Sequence, residues 1–179
     1  MNKIVISSGH GKYVAGAVGI MDEVTENRRV VEQVAVELRH RGTEVVVFHD
    51  DVSKSQEVNL ETIVSYHNAQ KRDLDVSVHF NAFKPTTEPR GTECFFVTQE
   101  ELASDISDAI ASCGLIDRGP KIGNDLYFLN HTKEPAILIE VCFVDSQADC
   151  EVYKKEFENI CARIANVLSG GKTGEAETV

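Results

Sequence analysis

Apolar and polar positions along this chain follow two periods, and the switches between them mark its elements. Lys3 to Ser7 is a short β-branched run that reads as a strand. A glycine-rich loop follows through Gly9, Gly11, Gly16 and Gly19. From Asp22 to Arg41 the spacing turns helical, with Val30, Val31, Val34, Ala35 and Leu38 on one face and Gly42 as the stop. Val45 to Phe48 predicts a second strand, and Ser55 or Asn59 opens a second helix with Leu60, Ile63, Val64 and His67 on one side. DVSVHFNAF and GTECFFVT predict the third and fourth strands, and Gln99 to Cys113 is helical. A loop through Gly114, Gly119, Pro120 and Gly123 then leads to an expected short strand at Leu126 to Leu129. PAILIEV has almost no polar alternation, as in a strand covered on both faces. Lys154 to Leu168 predicts the last helix.

Alternating strands and helices predict an α/β fold. The expectation is a three-layer sandwich: a twisted, mostly parallel sheet of about six strands with helices on both faces. The segments near Gly91 and Leu126 are where an antiparallel member would enter. Residues 1–168 form one domain, and the Gly-rich, charged tail 169–179 reads as the start of a linker.

Composition narrows the function classes. A net charge of −11 argues against nucleic acid, which needs a basic patch. No apolar stretch approaches the ~18 residues of a membrane span, and the first residues lack the apolar run of a signal peptide. The five cysteines are odd in number, show no CxxC and sit in apolar stretches, which predicts reduced, buried thiols.

The chemistry lies at strand ends. In an open α/β sheet, ligands sit outside the carboxyl ends of the strands. His10 lies just past the first strand, His79 near the end of the third, and Glu140 near the end of PAILIEV. A glutamate in an apolar strand is costly without a partner. Two histidines on the same rim point to a metal with a carboxylate beside it. Zinc with three protein ligands and an open position is a hydrolytic site. The third ligand should be a carboxylate where the loop re-enters a helix, and both Glu23 and Glu26 stand there.

The remaining polar residues have plainer readings. Asn81 is read as structural, and Lys12 as a solvated surface residue. Asn130 and His131, with Thr132, precede the Glu140 strand and are weak candidates for substrate contact, as is Asn81. His67 reads as a core histidine, and His40 and His49 have no partner motif. Cys142, two residues after Glu140, falls on its face of the strand and reads as packing. Asp145, Asp149 and Glu151 read as a solvated acidic face.

SSGHGKYVAGAVG, a glutamate opening a long helix, SVHFNA and PAILIEVCFVDS, in this order, resemble the zinc-dependent N-acetylmuramoyl-L-alanine amidases of the type-3 family. The likeness runs from about Lys3 to Leu168 and is strongest to the amidase domains of phage endolysins that attack clostridial or related Gram-positive walls. The resemblance implies one Zn²⁺ held by His10, Glu23 and His79, with Glu140 as the catalytic acid and base. Counting back from Gly42 selects Glu23 over Glu26. The family's usual DPGHGG opening is SSGHGK here, so if the missing aspartate orients the histidine, another group must do so. The implied reaction is cleavage of the amide between N-acetylmuramic acid and L-alanine of peptidoglycan. The implied setting is a protein made in the host cytoplasm, acting on the wall after the membrane is permeabilised, with a C-terminal wall-binding domain beyond the linker. The alternatives are another zinc peptidase acting on wall peptides, for which Arg90 and Arg118 lack an identifying motif, and a non-catalytic wall-binding module. The second is disfavoured by the absence of Trp and an aromatic content of only 7%.

Overall fold

The computed structural model describes residues 2–171; the expected linker falls almost wholly on residues 172–179, outside the described residues. The elements in chain order are β1 (Lys3–Gly11), α1 (Glu23–His40), β2 (Glu44–Asp50), α2 (Gln56–Ala69), β3 (Leu74–Asn81), β4 (Thr92–Phe96), α3 (Glu100–Ala111), β5 (Asp117–Ile122), α4 (Tyr127–His131), β6 (Ala136–Phe143) and α5 (Gln147–Leu168). One six-stranded sheet has the order β2-β1-β3-β6-β4-β5. Strands β1, β2, β3 and β6 are mutually parallel. β4 runs antiparallel to β6, and β5 runs parallel to β4.

Helices cover both faces, as expected. On one side Ile4, Ile6, Val76, Val78, Ile137 and Ile139 of the central strands pack against α1, α3 and α5 in the main core. Each such fully buried side chain stabilises the fold by roughly 1.5–3 kcal/mol. On the other side a smaller core joins Ile63 and Val64 of α2 and Phe128 and Leu129 of α4 to Ala136 and Leu138 of β6.

Several expectations need correction. Leu126 to Leu129 is not a strand: Tyr127–His131 forms α4, and the edge strand is Asp117–Ile122. Glycine, proline and charge hide β5 from periodicity, because an edge strand has little apolar alternation to show. The short apolar run at 126–129 is one of those that periodicity cannot assign to helix or strand. β1 continues through His10 to Gly11, so His10 ends a strand instead of following one. α5 begins at Gln147, with Ser146 as its cap, and has a break at Glu156. Asp145 and Asp149 are not on a solvated face, being 7% and 0% exposed. Asp149 accepts hydrogen bonds from the backbone N–H of Arg90, Gly91 and Phe143, tying α5 to the strand ends. Register slips between His79↔Glu140 and Asn81↔Phe143, and Cys142 turns into the main core, away from the face that holds Glu140. All five cysteines are free thiols, four of them buried.

Candidate metal and catalytic site

The rim assembles because three parallel strands end side by side. β1 delivers His10 and β3 delivers His79, while β6, in register with β3, sets Glu140 directly opposite His79. The loop after β1 carries the chain to α1, which opens at Glu23. Asp22 caps that helix by accepting the Thr25 N–H at 2.8 Å. The helix N-terminus favours a carboxylate in the first turn.

Glu23 is 3% exposed, and both of its oxygens are used. Oε2 lies 3.2 Å from His10 Nε2 and accepts the Ala17 N–H at 2.6 Å. Oε1 lies 3.1 Å from His79 Nδ1 and accepts the Phe80 N–H at 3.2 Å. The three donor groups lie within 4.8 Å of one another. Burial pushes the Glu23 proton affinity up, but the hydrogen bonds and charge of the two imidazoles outweigh it and hold the carboxyl well below its ordinary range.

Glycines clear the space. A Cβ on Gly9 would fall 2.1 Å from the His79 ring, and one on Gly16 would fall 2.4 Å from Glu23 Oε2. His10 itself adopts a left-handed backbone, with φ of 61°. That conformation is uncommon outside glycine and persists where its surroundings enforce it.

Two imidazoles and one carboxylate are the donor set of a catalytic zinc centre that keeps an open position. The residues present fit such an ion: their donors converge and their surroundings are cut to size. Glu140, the register partner of His79 on β6, has a buried Oε2 with no hydrogen-bond partner among the described residues. Burial, with the charges of Glu23 and Glu93, raises the Glu140 proton affinity well above the ordinary carboxyl value. Glu26, the alternative ligand, turns away and accepts from Tyr153 Oη and Arg29, each at 2.7 Å.

Some site residues were not anticipated. Glu93 pairs across strands with Glu140 and is 5% exposed. It accepts from Asn81 Nδ2 and Arg118 Nε, both at 2.8 Å. The antiparallel turn of β4 brings the start of that strand to the rim, which period and spacing do not reveal. Asn27, one helical turn after Glu23, is fully buried and donates to the Gly9 carbonyl at 3.2 Å. Ser7, at the position of the missing aspartate, bonds His67 instead of His10. Asn27 thus helps to hold the strand end that carries His10.

The weaker candidates have other partners in the structure. Asn81 serves Glu93. Asn130 bonds the Gly123 and Leu126 carbonyls, and His131 stacks on Tyr127 with ring centroids 3.9 Å apart. Lys12 is exposed, with its ammonium over the Tyr13 ring. His49, for which the sequence shows no partner motif, lies between Ser8 Oγ and Glu32. Arg118 is engaged by Glu93, while Arg90 donates to the Lys84 carbonyl and has a buried Nε without a hydrogen-bond partner. Beside His10 and His79 opens a cleft of about 280 Å³, walled by α2 and the segment around α4.

A family profile for N-acetylmuramoyl-L-alanine amidase matches residues 4–169. The chain belongs to this amidase family. Among solved structures it is similar to the catalytic domain of the CD27L endolysin targeting Clostridia Difficile, with TM-score 0.87 and 26% identity over 97% of this chain and 100% of that one. In sequence it is 32% identical over 163 residues to an uncharacterised 38.4 kDa protein of Clostridium perfringens, covering 86% of this chain and 46% of that protein. It is also 32% identical over 193 residues to the endolysin of Bacillus phage SPP1, covering 99% of this chain and 66% of the endolysin. The chain therefore spans about half the length of the clostridial relative. No helix among the described residues is long and apolar enough to cross a membrane.

Proposed function

We propose that this chain is a zinc-dependent N-acetylmuramoyl-L-alanine amidase that hydrolyses the amide between N-acetylmuramic acid and the stem-peptide L-alanine, as the catalytic unit of a phage-type endolysin. The observation that carries this is the convergence of His10, Glu23 and His79 beside the unpartnered carboxyl of Glu140, in a chain of the amidase family. When bound by those three residues, zinc supplies Lewis-acid polarisation of the scissile carbonyl and acidification of water.

The other tasks fall to the chain. Ala17 and Phe80 N–H groups fix the Glu23 carboxylate, so both imidazoles have a rigid partner. Glu140 takes the proton of the attacking water and hands it to the alanine nitrogen as the C–N bond breaks. A carboxyl whose proton affinity is raised by burial and by neighbouring carboxylates suits both transfers. Glu93 sits across from Glu140, itself held by Asn81 and Arg118.

Similarity to the phage endolysin supports synthesis inside the host followed by action on the wall. The greater length of the relatives supports a further domain, which we assign to wall binding. The test is to digest purified peptidoglycan with zinc-loaded protein. New N-terminal alanine should appear, vanish with chelator and return with zinc. Release of any other amino terminus, or of reducing sugar ends, overturns the proposal.

A further inference from the structure

We infer that Tyr153, on α5, is a positioning residue for the metal site: it joins the helix that carries Glu23 to the strand that carries His79. This rests on the zinc-dependent amidase reading above. Tyr153 is fully buried. Its hydroxyl donates to Glu26 Oε2 at 2.7 Å, and its ring meets the Phe80 ring edge to face, with centroids 5.0 Å apart. Glu26 shares the first turn of α1 with Glu23, and Phe80 directly follows His79 on β3. One side chain from a distant helix thus reaches the neighbours of two ligands that must converge.

The Phe80 contact matters because the strand pairing slips there. His79 pairs with Glu140 and Asn81 with Phe143, so β6 has two residues, Val141 and Cys142, where β3 has only Phe80. This is the two-for-one count of a β-bulge, a device that re-aims groups beside active sites. The Phe80 N–H at the slip donates to Glu23 Oε1 at 3.2 Å. A backbone group outside the regular ladder is located by its own side chain, and the Phe80 ring lies in the main core against Tyr153. Moving that ring moves an N–H that holds the carboxylate ligand. Tyr153 is itself fixed by a closed circle of contacts. Glu26 Oε2 also accepts from Arg29 at 2.7 Å, the Arg29 guanidinium lies 4.7 Å over the Phe157 ring, and Phe157 meets Tyr153 edge to face at 5.7 Å. Burial and the Glu26 carboxylate push the proton affinity of the phenol up, so its hydroxyl stays a donor. A core that needed only volume could be filled by phenylalanine here; a buried hydroxyl aimed at a carboxylate fixes direction as well.

The experiment measures zinc affinity by chelator competition, and the visible absorption of the Co²⁺-loaded protein, which reports ligand geometry. The proteins are the wild type, Tyr153→Phe, Tyr153→Leu and Ile164→Ala. Ile164 is fully buried on the same helix, about three turns further on, near where Asn166 meets Arg41 at the opposite end of α1. It is the control for lost packing. Melting temperatures establish that each variant is folded, and all should still load zinc at saturation. Tyr153→Leu should weaken zinc binding about tenfold or more, as when a group behind a metal ligand is lost, and should shift the cobalt spectrum. Tyr153→Phe removes only the hydroxyl and should do both to a smaller, measurable extent. Ile164→Ala should lower the melting temperature and keep the wild-type affinity and spectrum. If Tyr153→Leu does not fold, Tyr153→Phe decides alone. A folded Tyr153→Phe with the wild-type zinc affinity and cobalt spectrum overturns the inference, as does an Ile164→Ala that loses as much zinc affinity as the Tyr153 variants. A wild type that binds neither metal overturns the zinc reading first, and this inference falls with it.

Discussion

The histidine–carboxylate clusters at the rim and around His67 stand on the same sheet, and only the first is open to solvent. At the rim, two imidazoles converge on Glu23 with side chains 24% and 19% exposed, and Glu140 beside them has a buried oxygen without a partner. Below the rim, His67 is held between Ser7 Oγ at 2.9 Å and Asp75 at 2.8 Å, with every side chain closed off from solvent. The order Ser7–His67–Asp75 has the connectivity of a hydrolytic triad. Yet Arg72 claims both Asp75 oxygens at 2.7 Å, and no substrate can reach the hydroxyl. The lower cluster satisfies its polar groups internally and fastens α2 to β1 and β3. The upper one leaves donors pointed at a shared, accessible space. A reactive site is thus marked by what remains unsatisfied, not by which residue types meet.

The largest effects should separate ligand from base at the rim. His79→Ala should lose bound metal and all wall-hydrolysing activity together, while Glu26→Ala, whose carboxylate faces Tyr153 and Arg29, should keep its zinc. Glu140→Gln should keep zinc and fold and lose roughly 10²–10⁴ in rate, as a lost positioned base does. Metal analysis and a turnover assay on the three proteins check this; a zinc-free Glu26→Ala would exchange the two glutamates' roles.

In the lower cluster the damage should be to stability alone. Asp75→Asn leaves the Arg72 guanidinium, only 3% exposed, without its carboxylate. Breaking such a pair costs about 3–5 kcal/mol, to be read from denaturant midpoints. Zinc stoichiometry of the folded fraction should stay at the wild-type value.

Asn27 links the two regimes, because its side chain is fully buried but serves the rim. Asn27→Leu removes the bond to the Gly9 carbonyl and also removes an Oδ1 that has no partner. Stability should therefore change little, while zinc affinity should drop about 10- to 100-fold, as when a group that orients a metal ligand is lost. Chelator competition measures it, and an affinity equal to wild type would leave Asn27 with a packing role only.

The smallest effect concerns acid. Burial lowers the His67 proton affinity below its ordinary value, and the Arg72 charge adds to this against the opposing pull of Asp75. With the folded pKa below the unfolded one, ~6.5, the unfolded chain binds more protons between the two. Stability is then complete above about pH 6.5 and declines as pH falls from there. The stability–pH curve of His67→Gln should be flatter across that window than that of the wild type.

Much of this was legible in the chain itself. The β-branched runs and the helical face from Val30 to Leu38 define the alternating elements, because burial on a sheet or helix imposes a period on apolar residues. His10, His79 and Glu140 could be placed on one rim because parallel strands end on the same side. A histidine and a glutamate within apolar strands need a reason that packing does not supply. The choice of Glu23 over Glu26 came from likeness to a family; spacing left it open, and the fold separates the two by turning one to the histidines and the other to α5. Three further features appear only with the tertiary structure. β5 was hidden because an edge strand needs no apolar alternation. Glu93 reaches the site because β4 runs backwards, and local sequence does not record strand direction. Asp149 is buried because three backbone N–H groups from distant parts of the chain meet its carboxylate. Periodicity reports which residues leave water, since that is a property of each short segment. Which polar groups then meet depends on contacts between segments far apart in the chain, and only the folded arrangement determines those.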